Sequence, residues 1–300
     1  MELYQINVAV ATLWTSKDSA RQIDVDAISN PVDIPKWLHS LTYDTKLDLC
    51  NDNLVQSQVL LGEEVQVLEI NGDWAFCVIP SQLSKKDDRG YPGWIPLNQL
   101  MKKEEEEDKF DQVAVVYQPI ATLYKDPNNK WMEVSYQTAL PIVEIREDYI
   151  KVKVPSGYGY LKNEDIHIFK ANEIPKQNGE FIIHEAEKFI GLPYLWGGMS
   201  GFGFDCSGFS YSMCKAAGRI IARDAHEQAD GGINVEIQHI QPGDLLFFAY
   251  DEGKGHIHHV AIYYGEGKMI HSPNTGKSIV IEEIAGTYKK ELCAASRYWI

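Results

Sequence analysis

An internal duplication constrains this chain more than any other feature of its sequence. The first stretch contains Val8–Trp14, Val59–Leu68, Asn71-Gly-Asp-Trp74 and Gly90-Tyr-Pro-Gly-Trp94. The second contains Val113–Val116, Ala121-Thr-Leu-Tyr124, Ile142–Ile145, Asp148–Val154 and Gly157-Tyr-Gly-Tyr160. Both run from Ala-Thr-Leu-aromatic, through an acidic turn with an aromatic residue, to a Gly-Tyr ending. Period-two alternation broken by turn residues predicts short strands with one buried face. Sheets of this size escape the problem of open edges by curling into small antiparallel barrels.

Three segments fall outside that repeat. Met101–Lys109 carries a run of charge and reads as a solvated linker or helix face. Ser16–Asn53 is too long for a barrel loop, and its Asp24–Ile28 and Ile34–Ser40 portions read as short helices inserted into the first barrel. From Lys176 the period changes. Phe181–Ile190 has helical spacing, and a second helix is expected from Cys206, with Gly218 beyond its end. Strand-like runs follow at Asp244–Ala249, Val260–Tyr264, Met269–Ser272 and Ile279–Glu283. Helices followed by an antiparallel meander make an α+β domain. The expected division is therefore a multidomain chain: residues 1–107 and 108–175 as two small all-β domains, the first with a helical insertion, and 176–300 as an α+β domain.

Composition excludes several classes of partner. A net charge of −15 over 300 residues disfavours nucleic acid and anionic wall polymers, which need a basic surface. No run approaches the roughly 20 apolar residues that span a bilayer, so no membrane partner is expected. Met1–Ala11 lacks a basic start and apolar run, which reads as cytoplasmic for the sequence as it stands and periplasmic if a signal was removed. Five cysteines are too few and odd in number for a disulfide framework. Cys50, Cys77, Cys214 and Cys293 sit among apolar residues and read as buried small hydrophobes.

Cys206 has a different setting. Phe204-Asp-Cys-Ser-Gly208 places it in the first turn of a predicted helix, where unpaired N–H groups favour thiolate over thiol. Asp205 suits the helix cap, and Gly197, Gly198, Gly201 and Gly203 allow an open approach to the sulfur. A buried structural cysteine is the plain alternative. A nucleophilic thiol needs a base that returns its proton to the leaving group. Alternation along His259–Tyr264 puts His259, Ala261 and Tyr263 on one face. A three-residue loop, Gly265-Glu-Gly267, would pair Tyr264 with Lys268 and set His271 opposite Ala261, diagonal to His259. His271 then orients His259 as an Asp or Asn does in other triads. A two-residue turn would send His271 to the other face. Zinc is the competing reading of His256, His258, His259, His271 and Cys206. However, His258 and His259 point to opposite faces and no Cys-x-x-Cys pair exists, so no metal or other cofactor is expected.

These motifs are recognisable as a set. Pro193-Tyr-Leu-Trp-Gly-Gly198, Phe204-Asp-Cys-Ser-Gly208, Arg223-Asp-Ala-His-Glu-Gln228, Gln241-Pro-Gly-Asp-Leu-Leu-Phe-Phe248, His259-Val-Ala-Ile-Tyr-Tyr-Gly265 and Met269-Ile-His271 resemble, in order, the successive motifs of NlpC-type cysteine peptidases. The duplicated first half resembles bacterial SH3-like domains. The resemblance implies two SH3-like barrels followed by a papain-like catalytic domain, with Cys206 as nucleophile, His259 as base and His271 as orienting residue. It implies a murein peptide substrate, cut at the γ-D-glutamyl-L-diamino acid bond when its N-terminal L-Ala is free, releasing L-Ala-γ-D-Glu. The backbone N–H of Cys206 and the Tyr194 side chain match the oxyanion-stabilising position, while Asp205, Ser207, Arg223 and Asp224 match substrate subsites. Ala225 departs from the small hydroxyl residue common there. Tyr91 is read as the first barrel's contribution to the cleft.

The residue chemistry fits those subsites. Arg223 could grip the D-Glu α-carboxylate in a two-pronged fork, and Asp205 and Asp224 could hold the free amine. Plain roles stand beside each: an ion pair for Arg223, helix capping for Asp205, barrel packing for Tyr91. Two other functions compete: a non-catalytic wall-binding protein, or an amidase or acyltransferase on the same cysteine scaffold.

Overall fold

The computed structural model describes residues 2–103, 110–171 and 173–300. Most of the charge run read as a linker, 104–109, lies outside them. The chain divides into two compact units. One comprises Met1–Ser81, Arg89–Ile174 and Ser200–Phe202; the other comprises Gln82–Asp88, Pro175–Met199 and Gly203–Ile300.

The first unit holds two seven-stranded sheets. The strands of one are Glu2–Ile6, Val10–Trp14, Val55–Leu60, Glu64–Asn71, Trp74–Ile79, Tyr91–Pro96 and Leu100–Lys102. Those of the other are Gln112–Val116, Ile120–Asp126, Asn129–Ser135, Ala139–Ile145, Tyr149–Val154, Gly157–Lys162 and Ile166–Lys170. Counted along the chain within each sheet, the spatial order is third, second, sixth, fifth, fourth, first, seventh in both. The sequence repeat also keeps its register. Trp14 pairs with Trp94 in one sheet and Tyr124 with Tyr160 in the other. The second glycine of each ending has a steric reason. A Cβ on Gly93 would stand 2.6 Å from Leu13 Cγ, and one on Gly159 would stand 2.8 Å from Leu123 Cδ1. In each sheet the leucine of Ala-Thr-Leu fills the space that the missing side chain leaves.

Inward-facing residues build a separate core for each sheet. One gathers Ile6, Leu13, Val59, Ala75, Ile79 and Ile95; the other gathers Val116, Leu123, Val134, Ile150, Val152 and Leu161. Each such side chain contributes roughly 1.5–3 kcal/mol on burial. The insertion between the second and third strands forms helices at Val25–Ile28 and Ile34–Ser40, and a third at Tyr43–Asn51. That third helix was not expected, because it buries only Leu49 and so lacks an apolar stripe. Trp37 fastens the insertion: its ring lies 6.3 Å from that of Trp14, and its Nε1–H donates to buried Asp24 at 2.8 Å.

The second unit places helices Gly179–Glu187 and Cys206–Ala216 with a six-stranded sheet. Across the sheet the strands run Ile233–Asn234, Leu292–Arg297, Leu245–Ala249, Ile257–Gly265, Lys268–His271 and Val280–Glu283. Leu245–Ala249 is buried along its whole length, so its sequence is a continuous apolar run rather than an alternating one. Buried Asp244, just before it, ties the C-terminal segment to the sheet. It accepts two hydrogen bonds from Arg297 at 2.8 Å and one from Trp299 Nε1 at 3.0 Å. No helix among the described residues is long and apolar enough to cross a membrane.

One turn differs from expectation, yet the register it was meant to set is present. Ile262 pairs with Ile270 and Tyr263 with Met269, but Gly265, not Tyr264, pairs with Lys268. The turn is therefore two residues, Glu266 and Gly267, both at positive φ (52° and 72°). Such a turn matches the twist of the flanking strands. A bulge at Tyr264 absorbs the extra residue and restores the phase. Turn and bulge together keep His271 on the face of His259.

Candidate active site

The helix Cys206–Ala216 begins where a carboxylate can cap it. Asp205 is its N-cap, with Oδ1 accepting from the Gly208 N–H at 2.6 Å and Oδ2 accepting from the Gly197 N–H at 2.9 Å. Cys206 is thus the first helical residue, partly exposed, with the Ser207 and Val260 N–H groups donating to its sulfur. Val260 directly follows His259. The strand Ile257–Gly265 therefore brings the proposed base and the proposed nucleophile into one site.

The electrostatics reverse one expectation. A resting thiolate was expected at this helix start; instead burial pushes the Cys206 thiol up to about 12, and the Asp205 carboxylate adds to the rise. The nearby Arg223 cation and the two N–H donors pull the other way and are outweighed. His259 moves in the opposite direction. Burial, then His271 and His258, hold it well below its ordinary range. Both shifts favour neutral partners at rest, so the chemistry open to the site is proton transfer from thiol to imidazole during attack.

His259 and His271 are both buried, and His259 Nε2 lies 2.7 Å from His271 Nδ1. Their ring planes cross at 72°. On its far side His271 Nε2 lies 2.6 Å from Glu282 Oε1. Tyr288 packs against both rings, with centroids at 5.9 and 5.3 Å. Sequence reasoning missed Glu282, although a signal existed. The run at 279–283 was read as a strand, and alternation sets Val280 and Glu282 on the same face. The loop between His271 and that strand hid the register, in which His271 pairs with Val280 and Glu282 is its diagonal neighbour.

The remaining expected residues fall into two groups. Asp205, Ser207 and Arg223 form one buried cluster. The guanidinium, 1% exposed, reaches Asp205 at 2.7 and 3.2 Å and Ser207 Oγ at 2.7 Å. Both guanidinium nitrogens that would form a fork for a substrate carboxylate are engaged by Asp205. Asp205 likewise places its oxygens on the cap, the Gly197 N–H and Arg223. Gln228, read as structural, donates to the Ser207 and Ala222 carbonyls at 3.0 and 2.9 Å.

Tyr194 and Asp224 are held by other contacts. Tyr194 is buried and bridges Phe204 through its backbone. Asp224, partly exposed, pairs with Lys86 at 3.1 Å. Lys86 comes from Gln82–Asp88, which belongs to this unit although it is distant in sequence; nothing local in the sequence marked it. In the same segment, the Lys85 N–H donates to Glu227 at 2.8 Å. Tyr91 belongs to the first unit, where it packs in the sheet core and its hydroxyl donates to Gln56 at 3.3 Å. His258 meets Glu291 at 3.1 Å and stacks on Tyr250, while His256 lies against His226.

The NlpC/P60 family profile matches residues 191–297, and the YKFC SH3b2 domain profile matches residues 116–169. The chain is 46% identical over 298 residues to the gamma-D-glutamyl-L-lysine dipeptidyl-peptidase of Bacillus subtilis (strain 168), covering 98% of each. The chain belongs to the NlpC/P60 family. The enzyme of the same name from Bacillus cereus (strain ATCC 10987) is 43% identical, over 98% of this chain and 90% of that one. A crystal structure of an NlpC/P60 family protein from Bacillus cereus ATCC 10987 superposes with a TM-score of 0.96 at 42% identity, covering 99% of this chain and all of that one. The matched NlpC/P60 segment includes Cys206, His259, His271 and Glu282. A sheet-rich N-terminal region containing an SH3b domain precedes it.

Proposed function

We propose that this chain is a cysteine endopeptidase that cuts the γ-D-glutamyl-L-diamino acid bond of murein peptides with a free N-terminal L-Ala, releasing L-Ala-γ-D-Glu. The observation that supports the reading is that the Cys206 sulfur meets the strand carrying His259, itself 2.7 Å from His271, in a chain that matches two enzymes named for this bond along almost all of its length. Both names specify L-lysine, which favours lysine as the diamino acid.

The residues divide the work as follows. His259 accepts the Cys206 proton as the sulfur attacks the γ-carbonyl of D-Glu. Negative charge then develops on the carbonyl oxygen, where the Cys206 N–H and Tyr194 would stabilise it. His259 returns the proton to the amine of the diamino acid, which leaves, and water hydrolyses the thioester. Asp224, with an exposed edge, is the carboxylate suited to the free amine of L-Ala. Asp205, capping the nucleophile helix, and Ser207 within it are joined to Arg223 beside the proposed substrate site. The domain reading that accompanies this function is two SH3-like barrels, 1–107 and 108–175, and a papain-like domain, 176–300. Short, free peptides are the expected material, processed in the cytoplasm or, behind a leader, in the periplasm.

The test is release of L-Ala-γ-D-Glu from L-Ala-γ-D-Glu-L-Lys, followed by chromatography, for the native enzyme, Cys206→Ala and an N-acetylated substrate. Release only by the native enzyme and only from the free peptide supports the proposal. Unchanged turnover by Cys206→Ala ends the thiol mechanism, and equal cleavage of the acetylated peptide ends the amine requirement.

A further inference from the structure

We propose that Glu282 is a positioning residue that fixes the tautomer of His259 through His271. A histidine in the orienting place carries an ambiguity that an aspartate does not. Neutral imidazole has one N–H and one lone pair, and either nitrogen can hold the proton. With His271 protonated on Nδ1, that N–H would donate to His259 Nε2. The proton of His259 would then sit on Nδ1, and the ring would have no lone pair left for the thiol. With His271 protonated on Nε2, its Nδ1 accepts from His259 Nε2–H, and His259 Nδ1 is free to act as base.

Glu282 selects the second arrangement. An ionised carboxylate only accepts hydrogen bonds, and Oε1 lies 2.6 Å from His271 Nε2, so the His271 proton is drawn to that nitrogen. The 2.7 Å contact between His271 Nδ1 and His259 Nε2 passes the choice on. The sheet builds this line geometrically. His271 pairs with Val280, which makes Glu282 its diagonal neighbour. Tyr263–Met269 pairing puts Ala261 opposite His271 and makes His259 its diagonal neighbour on the other side. Three adjacent strands thus carry one acceptor-to-base chain. The other polar groups near it are Lys277, on the His271 side, and Tyr288 and His258, against the rings. Lys277 is cationic and disfavours protonation of His271 rather than selecting a tautomer. The Glu282 side chain is 39% exposed, so solvent weakens its charge; its directed acceptor, not long-range attraction, is what acts.

The proposal rests on His259 serving Cys206 as base, and its test is arranged to be read without substrate. Full-length protein with 15N-labelled histidines is compared with Glu282→Leu and Glu282→Gln above the histidine titration range. The native spectrum is expected to show His259 protonated on Nε2 and His271 on Nε2. Glu282→Leu is expected to populate the Nδ1–H form of His259 and to lower kcat about tenfold or more, a share of the rate that positioned proton transfer supplies. KM is expected to stay within twofold. Glu282→Gln, whose amide can accept or donate, is expected to fall between. Its exposed position makes either variant a safe substitution for the core. Native tautomers in Glu282→Leu overturn the proposal, whatever the kinetics; so does a native kcat. Absence of dipeptide release by the native enzyme defeats the proposed substrate instead, and the spectra alone then decide the role of Glu282.

Discussion

Arg223 Nη2 lies 2.7 Å from Asp205 Oδ2, with the guanidinium 1% exposed and the carboxylate capping the helix that presents Cys206. Removing one partner leaves the other charge buried without compensation, at a cost of about 3–5 kcal/mol. Arg223→Ala is therefore expected to lower Tm by several degrees or more in a thermal melt. Arg223→Lys should rescue little, because a lysine cannot supply the planar fork. A residue that gripped the substrate instead would raise KM and leave Tm alone. Measuring both quantities on one preparation separates the two roles.

Gly208 closes the motif around the nucleophile, and its reason is spatial. A Cβ there would stand 2.1 Å from the Gly198 carbonyl oxygen and 2.9 Å from Met199 Sδ. Neither the helix nor the facing backbone can yield without moving Cys206. Gly208→Ala is expected to cost more than the 1–3 kcal/mol typical of overpacking, because a backbone atom is the obstacle. Dipeptide release should fall with little loss of far-ultraviolet helix signal. Native activity in this variant would mean that the helix start tolerates displacement.

The sequence carried most of the architecture and the central chemistry, and the misses have local causes. Identical strand order in the two sheets follows from a repeat that was visible, because Ala-Thr-Leu and the later glycine interlock in both copies. His271 was set diagonal to His259 by alternation together with a three-residue loop; the turn has two residues instead, and a bulge restores the phase. What stayed hidden depended on long-range pairing. The strand Leu292–Arg297 gains its place from pairing with Leu245–Phe248 and Ile233–Asn234, and Glu282 gains its meaning from lying diagonal to His271. Lys86 reaches Asp224 from a segment that no local pattern connects to it. The environment of Cys206 was hidden for another reason. A helix N-terminus is readable in sequence, whereas the burial that outweighs it is a property of the packed site.

That environment has a kinetic consequence. A thiol raised to about 12 by burial is far from its midpoint at neutral pH. Alkylation of Cys206 by iodoacetamide, followed by mass spectrometry, is expected to accelerate about tenfold per pH unit between 7 and 9, in step with the thiolate fraction. A thiolate already formed at rest would react at a constant rate across that range. His259→Ala should lower peptide turnover far more than it changes this alkylation slope, since the imidazole acts as base during attack rather than by holding a standing ion pair.

Stability should fall on both sides of a neutral plateau. Burial lowers the pKa of His259 and of His271 in the folded chain, below the 6.5 that an exposed imidazole has. Unfolding then takes up protons below 6.5, so the contribution of both rings is present above that pH and is lost as pH falls through the window beneath it. The cysteines act at the other end. Cys77, Cys206 and Cys214 are each raised from 9.0 to about 12 by burial, so unfolding releases protons above 9.0 and stability declines as pH climbs beyond it. Thermal melts from pH 4 to 11 are expected to show Tm flat between about 6.5 and 9 and descending outside. His259→Phe removes one of the buried imidazoles and should flatten the acid limb while leaving the alkaline limb in place. An acid limb as steep as that of the native chain would mean that the acid sensitivity does not come from the histidine pair.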